Sequence, residues 1–499
     1  MRQPDLIIFN PDQWRGDVMG HLDNPAAVTP FIDRMVRQDA ISFRHAFCQN
    51  PVCTPSRCSF MSGWYPHVRG HRTMYHMLHP EWDEPNLLQI LKDNGYQVWW
   101  GGKNDLTPGQ DDVSRYCNIK HRPDRIALEQ RGLTLRPGLH STASQWRGPS
   151  SDDNYYSFFC GKLDAENEEI YCDEDWAQVL GAIDFIRNYD SEQPFCIFLP
   201  LQYPHPPYGV EEPYFSAIDR RKLPPRLPAG PGDNGKPVIL DAIRQRQNLT
   251  SWNEERWTEL RAVYYGMCAR LDRQLEMLTE SLKEKQRYDD CALFLFSDHG
   301  DFTGDYGLVE KTQNTFEDCL VRVPLIFKPP RSLNTVPGVR EAMVELIDFT
   351  ETVYALTGIE PGYDRFGKSL LPLLRNDRDD FRDAVFCEGG RLKGEVQAME
   401  RDSTSADDPA GLYWPRCSLQ ISDEQPWHGK AVMCRTQTHK YVYRLYEKDE
   451  LYDLQADPGE EYNLIDDPRY REIATVLKER TLRWMVETAD VVPRKTDRR

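Results

Sequence analysis

Cys53-Thr54-Pro55-Ser56-Arg57 sets a thiol four residues ahead of a guanidinium, beside a Pro-Ser pair suited to the first turn of a helix. Residue 53 is expected just before that helix, where backbone N–H groups favour an anion. Arg57 keeps its proton and presents a planar fork that matches sulfate or phosphate oxygens. Further along, Ser297-Asp298-His299-Gly300 ends an apolar run with two metal-ligand types of different hardness, and Lys311 follows as a mobile donor to an anion. Gly300, Gly304 and Gly307 allow close backbone approach there. Taken singly, these segments also read as a buried cysteine beside a turn and as a polar loop. Only an architecture that brings them together would give them one chemistry.

The apolar runs Leu6 to Phe9, Val98 to Trp100, Phe195 to Leu201, Cys291 to Phe296 and Val323 to Phe327 read as buried strands. Amphipathic helical patterns lie between them, at Asn86 to Asp93, Trp176 to Asn188 and Trp257 to Lys283. This alternation predicts an α/β fold with a mostly parallel sheet. Ligands of such sheets bind beyond the carboxyl ends of the strands. Asp12-Gln13, Lys103, His205 and Asp298-His299 stand at those places. Nine prolines between Pro204 and Pro237 exclude a helix or a central strand and predict a stiff surface loop. Beyond residue 375 the pattern changes to the alternating runs AVMCRT and HKYVYRLY, then LYDLQADPGEEYNL and a helix near Ile473 to Glu487. The expectation is a domain over 1–375 and a smaller one over 376–499, an antiparallel sheet with one covering helix.

Composition bounds the function. The chain has 499 residues, 39% hydrophobic and 11% aromatic, enough for a large core. A net charge of −18 argues against nucleic acid or an anionic membrane as a partner, so an anion site must be built locally. No run approaches the length of a membrane span and no signal peptide stands out, and thirteen cysteines without CxxC pairs suit reduced thiols. A cytoplasmic location is the expectation.

The segment Cys53 to Gly63 resembles the sulfatase signature C-x-P-S-R-x-x-x-x-[ST]-G. Gly95 to Asp105 is similar to that family's G-Y-x-T-x-x-x-G-K-x-H, with Val98 for Thr and Asp105 for His. Ser297 to Asp301, Lys311 and Arg322-Val323-Pro324-Leu325 resemble its S-D-[HN]-G … K … R-V-P-L run, Tyr203 to Pro207 its P-H-x-P segment, and Leu451 to Leu464 its C-terminal run. Asn10 to Arg15 occupies the place of its metal-binding turn. The likeness extends from Asp5 to about Asp467. It implies the alkaline phosphatase-like fold, a mostly parallel mixed sheet sandwiched by helices, with a small C-terminal antiparallel sheet.

The resemblance also implies a mechanism. Cys53 is oxidised by a formylglycine-generating maturation enzyme, and the hydrated aldehyde attacks sulfur, then expels sulfate. Asp12, Gln13, Asp298 and His299, with residue 53, hold a divalent metal, calcium first, with manganese suited by the imidazole. Arg57, Lys103 and Lys311 stabilise the anion, and His205 protonates the leaving group with Lys311 behind it. Asp105 does not inherit the histidine's role, because a carboxylate about 4 Å from sulfate costs about 4 kcal/mol at an effective dielectric near 20. It pairs with a cation, faces the leaving group or points elsewhere, next to Asn104 at the substrate side. Either deprotonation of the hydrated aldehyde is handled differently here, or His71 or His76, in the loop after the helix, fills the missing histidine's place. The substrate is read as a small sulfated molecule such as a sulfated sugar, with Tyr155, Tyr156, Trp414 and Trp427 either stacking on it or serving as core. A phosphonate monoester or phosphodiester hydrolase and a catalytically silent binding protein are the alternatives, and an oligomer is compatible with the sequence.

Overall fold

The computed structural model describes residues 3–109, 112–166, 168–230, 234–375, 381–400, 407–494 and 496. The first strand, β1 (Leu6–Asp12), is apolar on both sides: Leu6 and Ile8 enter one core, Ile7 and Phe9 the other. A strand without a polar face belongs inside a sheet covered on both sides. The sheet comprises β1, β2 (Ile41–Phe47), β3 (Gln97–Trp100), β4 (Ile119–Lys120), β6 (Phe195–Pro204), β8 (Ala292–Phe296), β9 (Leu325–Lys328) and β10 (Gly338–Glu345), in the order β10-β2-β9-β8-β1-β6-β3-β4. Only β9 runs antiparallel to its neighbours β8 and β2. The sheet is therefore mostly parallel, as the sequence predicts.

Helices Pro30–Gln38, Glu174–Asn188 and Glu254–Glu284 cover the face that holds Ile7 and Phe9. Helices Cys53–Ser62, Leu87–Asp93 and Ile347–Thr357 cover the other. Beyond them, β11 (Val385–Gly389), β12 (Ala431–Arg435), β13 (His439–Arg444) and β14 (Glu450–Asp453) form the expected separate antiparallel sheet. Phe386, Cys434, Tyr441 and Leu451 pack with Trp484 of helix Arg471–Glu487, while Cys387, Met433 and Val442 join the core of the large sheet. The small sheet thus lies against the large one through a shared apolar layer. The expected boundary at 376 falls outside the described residues.

The proline-rich segment departs from expectation. Tyr208–Val210 forms β7, paired with β5 (Phe159–Lys162), and Pro206 to Glu211 are buried. Proline forbids a place in the middle of a sheet but not in a two-stranded ribbon, and the Tyr208 hydroxyl, donating to Asp301 at 2.9 Å, ties the ribbon under the sheet's carboxyl ends. All thirteen cysteines are free thiols. Among the described residues no helix is long and apolar enough to cross a membrane.

Gly102 turns the chain from β3 to Lys103 at φ 79°, and a Cβ on it would lie 2.2 Å from the Pro200 carbonyl oxygen. Gly102→Ala is therefore expected to cost about 1–3 kcal/mol and to displace Lys103. Thermal unfolding with parallel turnover assays checks this, and an unchanged melting temperature at full activity would remove the constraint.

Candidate active site

Asp12 closes β1, and the register between β1 and β6 shifts between Pro11 and Asp12. Such a bulge re-aims a side chain at a strand end. Gln13 follows at φ 69°, a strained backbone for any residue but glycine. Asp298 and His299 follow β8, Lys103 follows β3, and His205 follows β6. Cys53 is the first residue of helix Cys53–Ser62, every residue of which is buried. The carboxyl edge of the sheet thus gathers the residues that the sequence scatters over nearly 300 positions.

Asp12, Cys53, Asp298 and His299 each offer one ligand atom within 4.8 Å of the others. His299 Nδ1 lies 2.9 Å from the Gly300 carbonyl oxygen and must donate to it, which leaves Nε2 as an acceptor. That unprotonated nitrogen sits 3.2 Å from Cys53 Sγ, 3.6 Å from Asp12 Oδ1 and 3.9 Å from Asp298 Oδ1. Asp298 Oδ1 already receives the backbone N–H groups of Gln13 and His299, at 3.1 and 3.0 Å. Acceptors thus converge with almost no hydrogen to share, in a place closed to water. A divalent cation fits this arrangement, and two carboxylates with one imidazole suit either calcium or manganese. Gln13 is beside the group, but its Oε1 accepts from Lys311 Nζ at 2.8 Å and its Nε2 donates to Asp301.

The cations surround this cluster. Arg57 Nη2 lies 3.0 Å from Asp12 Oδ2 and 2.8 Å from Asp298 Oδ2, and Nη1 donates to Asn10 at 2.7 Å. It therefore grips the two carboxylates, where the sequence reading aimed it at substrate oxygens. Burial would raise the Asp12 carboxyl, but the permanent cations Lys103 and Arg57 hold it well below the ordinary range. Burial and Asp12 push the Cys53 thiol up, so the unmodified residue stays protonated and a poor nucleophile. Lys103 bridges Asp12 Oδ2 and, at 2.6 Å, Asp105 Oδ2. Asp105 thereby takes the cation-paired option, and burial notwithstanding, it and Asp12 hold Lys103 charged well above the usual lysine range.

Lys311 Nζ reaches Gln13 Oε1, His205 Nε2 at 3.0 Å and Glu310 Oε1 at 3.2 Å. His205 Nδ1 lies 2.6 Å from the Pro206 carbonyl oxygen, so Nδ1 bears the ring proton and Nε2 accepts from Lys311. Burial, Lys311 and Lys103 lower the His205 pKa well below the usual imidazole range. The proton between these two groups sits on Lys311, the reverse of the expected order.

His71 and His76 do not fill the missing histidine's place. His71 bonds Glu84 at 3.0 Å and the His76 carbonyl oxygen at 2.8 Å, and His76 Nε2 bonds the Gln397 carbonyl oxygen at 2.8 Å. Both follow helix Cys53–Ser62 in the chain, but their hydrogen bonds hold them to Glu84 and to the Gln397 carbonyl oxygen. Asn104 organises its own loop, with Oδ1 accepting from Leu106 and Thr107 N–H groups. Instead, His140 stands near His205, with ring centroids 6.1 Å apart, and Tyr413 lies 3.4 Å from His140 Nε2. Burial, with Lys103 and Lys311 nearby, lowers the His140 pKa to about 4. Both lie in the stretches of chain that carry Tyr155, Tyr156, Trp414 and Trp427, but no local spacing marks them. The four aromatics singled out there are partnered already: Tyr156 stacks on Trp414 at 5.8 Å, Arg147 covers Tyr155, and Arg246 lies over Trp414 and Trp427.

Asp298→Ala is expected to lose the bound divalent ion and lower the melting temperature of the metal-loaded protein, because a ligand that binds only the native state stabilises it. Elemental analysis with thermal unfolding, before and after chelation, measures both. Equal metal content in the variant would exclude Asp298 as a ligand.

The Sulfatase family model matches residues 4–359. Choline-sulfatase of Rhizobium meliloti (strain 1021) is 26% identical over 526 residues, covering 100% of this chain and 90% of that protein. The multifunctional alkaline phosphatase superfamily protein PehA of Trinickia caryophylli is 24% identical over 543 residues, covering 98% and 96%. Among solved structures, the phosphonate monoester hydrolase of Agrobacterium radiobacter superposes with a TM-score of 0.72 at 19% identity, covering 99% of this chain and 100% of that one. The match spans the strands, the nucleophile helix and the acceptor cluster that carry the site, and the chain belongs to the sulfatase family, enzymes that hydrolyse sulfuric esters.

Proposed function

We propose that this sulfatase releases sulfate from a small ester, using a formylglycine derived from Cys53 and a divalent cation held by Asp12, Gln13, Asp298 and His299. The convergence of buried acceptors around residue 53, ringed by Arg57, Lys103 and Lys311, carries the reading. The hydrated aldehyde would supply a nucleophilic hydroxyl and the cation would make it acidic. Arg57 fixes the two carboxylates that hold the cation. Lys103, at the opening, meets sulfate oxygens, with Asp105 limiting how far its ammonium moves. Lys311 places a proton at the leaving alkoxide, and His205 Nε2 orients it. His140 and Tyr413 line the leaving-group side. Because Cys53 is buried, the maturation enzyme must reach it before folding closes the site. A sulfated sugar belongs to this substrate class, though the aromatics expected to bind it are already partnered.

A second reading, hydrolysis of a phosphonate monoester or phosphodiester, is favoured by the name of a relative, a multifunctional alkaline phosphatase superfamily protein, and the amide and imidazole donors are compatible with it.

Turnover of 4-nitrophenyl sulfate, 4-nitrophenyl phosphate and the 4-nitrophenyl ester of phenylphosphonate, with mass spectrometry of the Cys53 peptide, separates the two. The expected result is fastest release from the sulfate with an aldehyde at 53; faster release from a phosphorus ester would establish the second reading. Cys53→Ala is expected to abolish turnover with the fold intact, and His205→Ala to lower it by about 10²–10⁴-fold. Near wild-type rates in either variant would end its assigned role.

A further inference from the structure

Among the described residues the Lys311 ammonium has one carboxylate partner, and that partner is divided. Glu310 gives Oε1 to Lys311 Nζ at 3.2 Å and Oε2 to Arg416 Nε at 3.1 Å. Arg416 lies 105 residues further along, in the short helix Trp414–Cys417, and its Nη1 holds Glu400 Oε2 at 2.8 Å. The side chains of Arg416, Glu310 and Lys311 are 5%, 3% and 3% exposed, so these contacts are not screened by solvent. Glu310 also stands at φ 68°, a conformation that persists only where neighbours over-determine it. Its backbone N–H donates to the Tyr208 hydroxyl at 3.0 Å, and Tyr208 in turn donates to Asp301, which holds the Gln13 amide. Gln13 Oε1 closes the circuit on Lys311.

We propose that Arg416 is a positioning residue for Lys311: by drawing one oxygen of Glu310 away, it leaves the ammonium free to reach Gln13, His205 and the leaving oxygen. This rests on the proposed role of Lys311 at the leaving group. A guanidinium suits the task because its planar fork can serve two carboxylates from one place, which an ammonium on a flexible stem cannot. Without it, both oxygens of Glu310 face a single cation, and Lys311 turns toward them and away from the substrate. The segment behind residues 407–412 thereby sets how strongly the site assists a poor leaving group, although it supplies no ligand to the metal cluster.

The test uses the matured full-length enzyme and two esters that differ in leaving group, phenyl sulfate and 4-nitrophenyl sulfate. Arg416→Met keeps the volume and removes the charge. The expected result is a fall in kcat for phenyl sulfate about tenfold larger than for 4-nitrophenyl sulfate, since assistance by a proton donor matters most where the leaving group is poor. Glu310→Gln, which takes away the charge that would capture Lys311, is expected to keep the ratio of the two esters near that of the wild type, and Arg416→Lys, whose ammonium cannot serve both Glu310 and Glu400, to give the selective fall should Arg416→Met fold badly. The double variant Glu310→Gln with Arg416→Met should regain most of the selectivity lost in Arg416→Met, because no carboxylate is left for Lys311 to turn to. Equal losses on both esters, no rescue in the double variant, or a rise in KM alone would overturn the proposal. If the wild type prefers phosphorus esters, the same two leaving groups are compared on phosphonates, so failure of the sulfate reading does not decide this one. A crystal structure of the Arg416→Met variant gives a readout without turnover: Lys311 Nζ still bonded to Gln13 and His205 there would also overturn it.

Discussion

Two carboxylates, Asp12 and Asp298, meet where the neighbouring strands β1 and β8 end, and the whole site depends on how their repulsion is met. At an effective dielectric near 20, two like charges about 4 Å apart repel by about 4 kcal/mol. Arg57 grips both, and Lys103 adds a second charge on Asp12. One more acceptor, His299 Nε2, faces the same space with its lone pair outward because the Gly300 carbonyl oxygen takes the ring's only proton. Anions, amides and imidazole are thereby held ready for a cation without collapsing onto one another.

Parallel strands make this possible. Seven strands run in one direction, so their carboxyl ends open on one edge, and each contributes a loop to it. Helices on both faces leave no exposed sheet surface, which is why the strands read as unbroken apolar runs. The cost appears in the backbone: Gln13, Thr303, Tyr306 and Glu310 all take positive φ close to the site. Strain of this kind is retained where several contacts fix the same residue. At Gln13 these are Asp301, Lys311 and the Tyr264 hydroxyl, which donates to the Gln13 carbonyl oxygen.

The small C-terminal sheet is part of the same construction. Its inner face shares the core of the large sheet, and Lys440 ties it to the Phe316 carbonyl oxygen and Asp318, just past the Lys311 loop. The segment between its strands carries Tyr413 to the mouth of the site and Arg416 to Glu310. The chain's last third therefore reaches the candidate site through side chains, with the candidate metal cluster supplied by the first two thirds.

The sequence by itself marked five strands of the large sheet, three of its covering helices, the family and the candidate ligands and cations, because each is carried by local periodicity or by a short run such as Cys53 to Arg57. Its order of residues even placed Asp12, Lys103, His205 and Asp298 at strand ends. What it could not determine was which groups face one another. Asp105 pairs with Lys103, Arg57 grips carboxylates, Lys311 rather than His205 keeps the proton, and His140 and Tyr413 stand beside His205 while His71 bonds Glu84. The start of the proline-rich run, Pro206 to Glu211, is a buried ribbon tied by Tyr208 to Asp301, 93 positions away. These are choices of hydrogen-bond partner between distant segments. Only packing of the two sheets and their loops fixes the distances on which such partnerships depend, since hydrogen bonds and desolvated charges act over a few ångströms, whatever the separation along the chain.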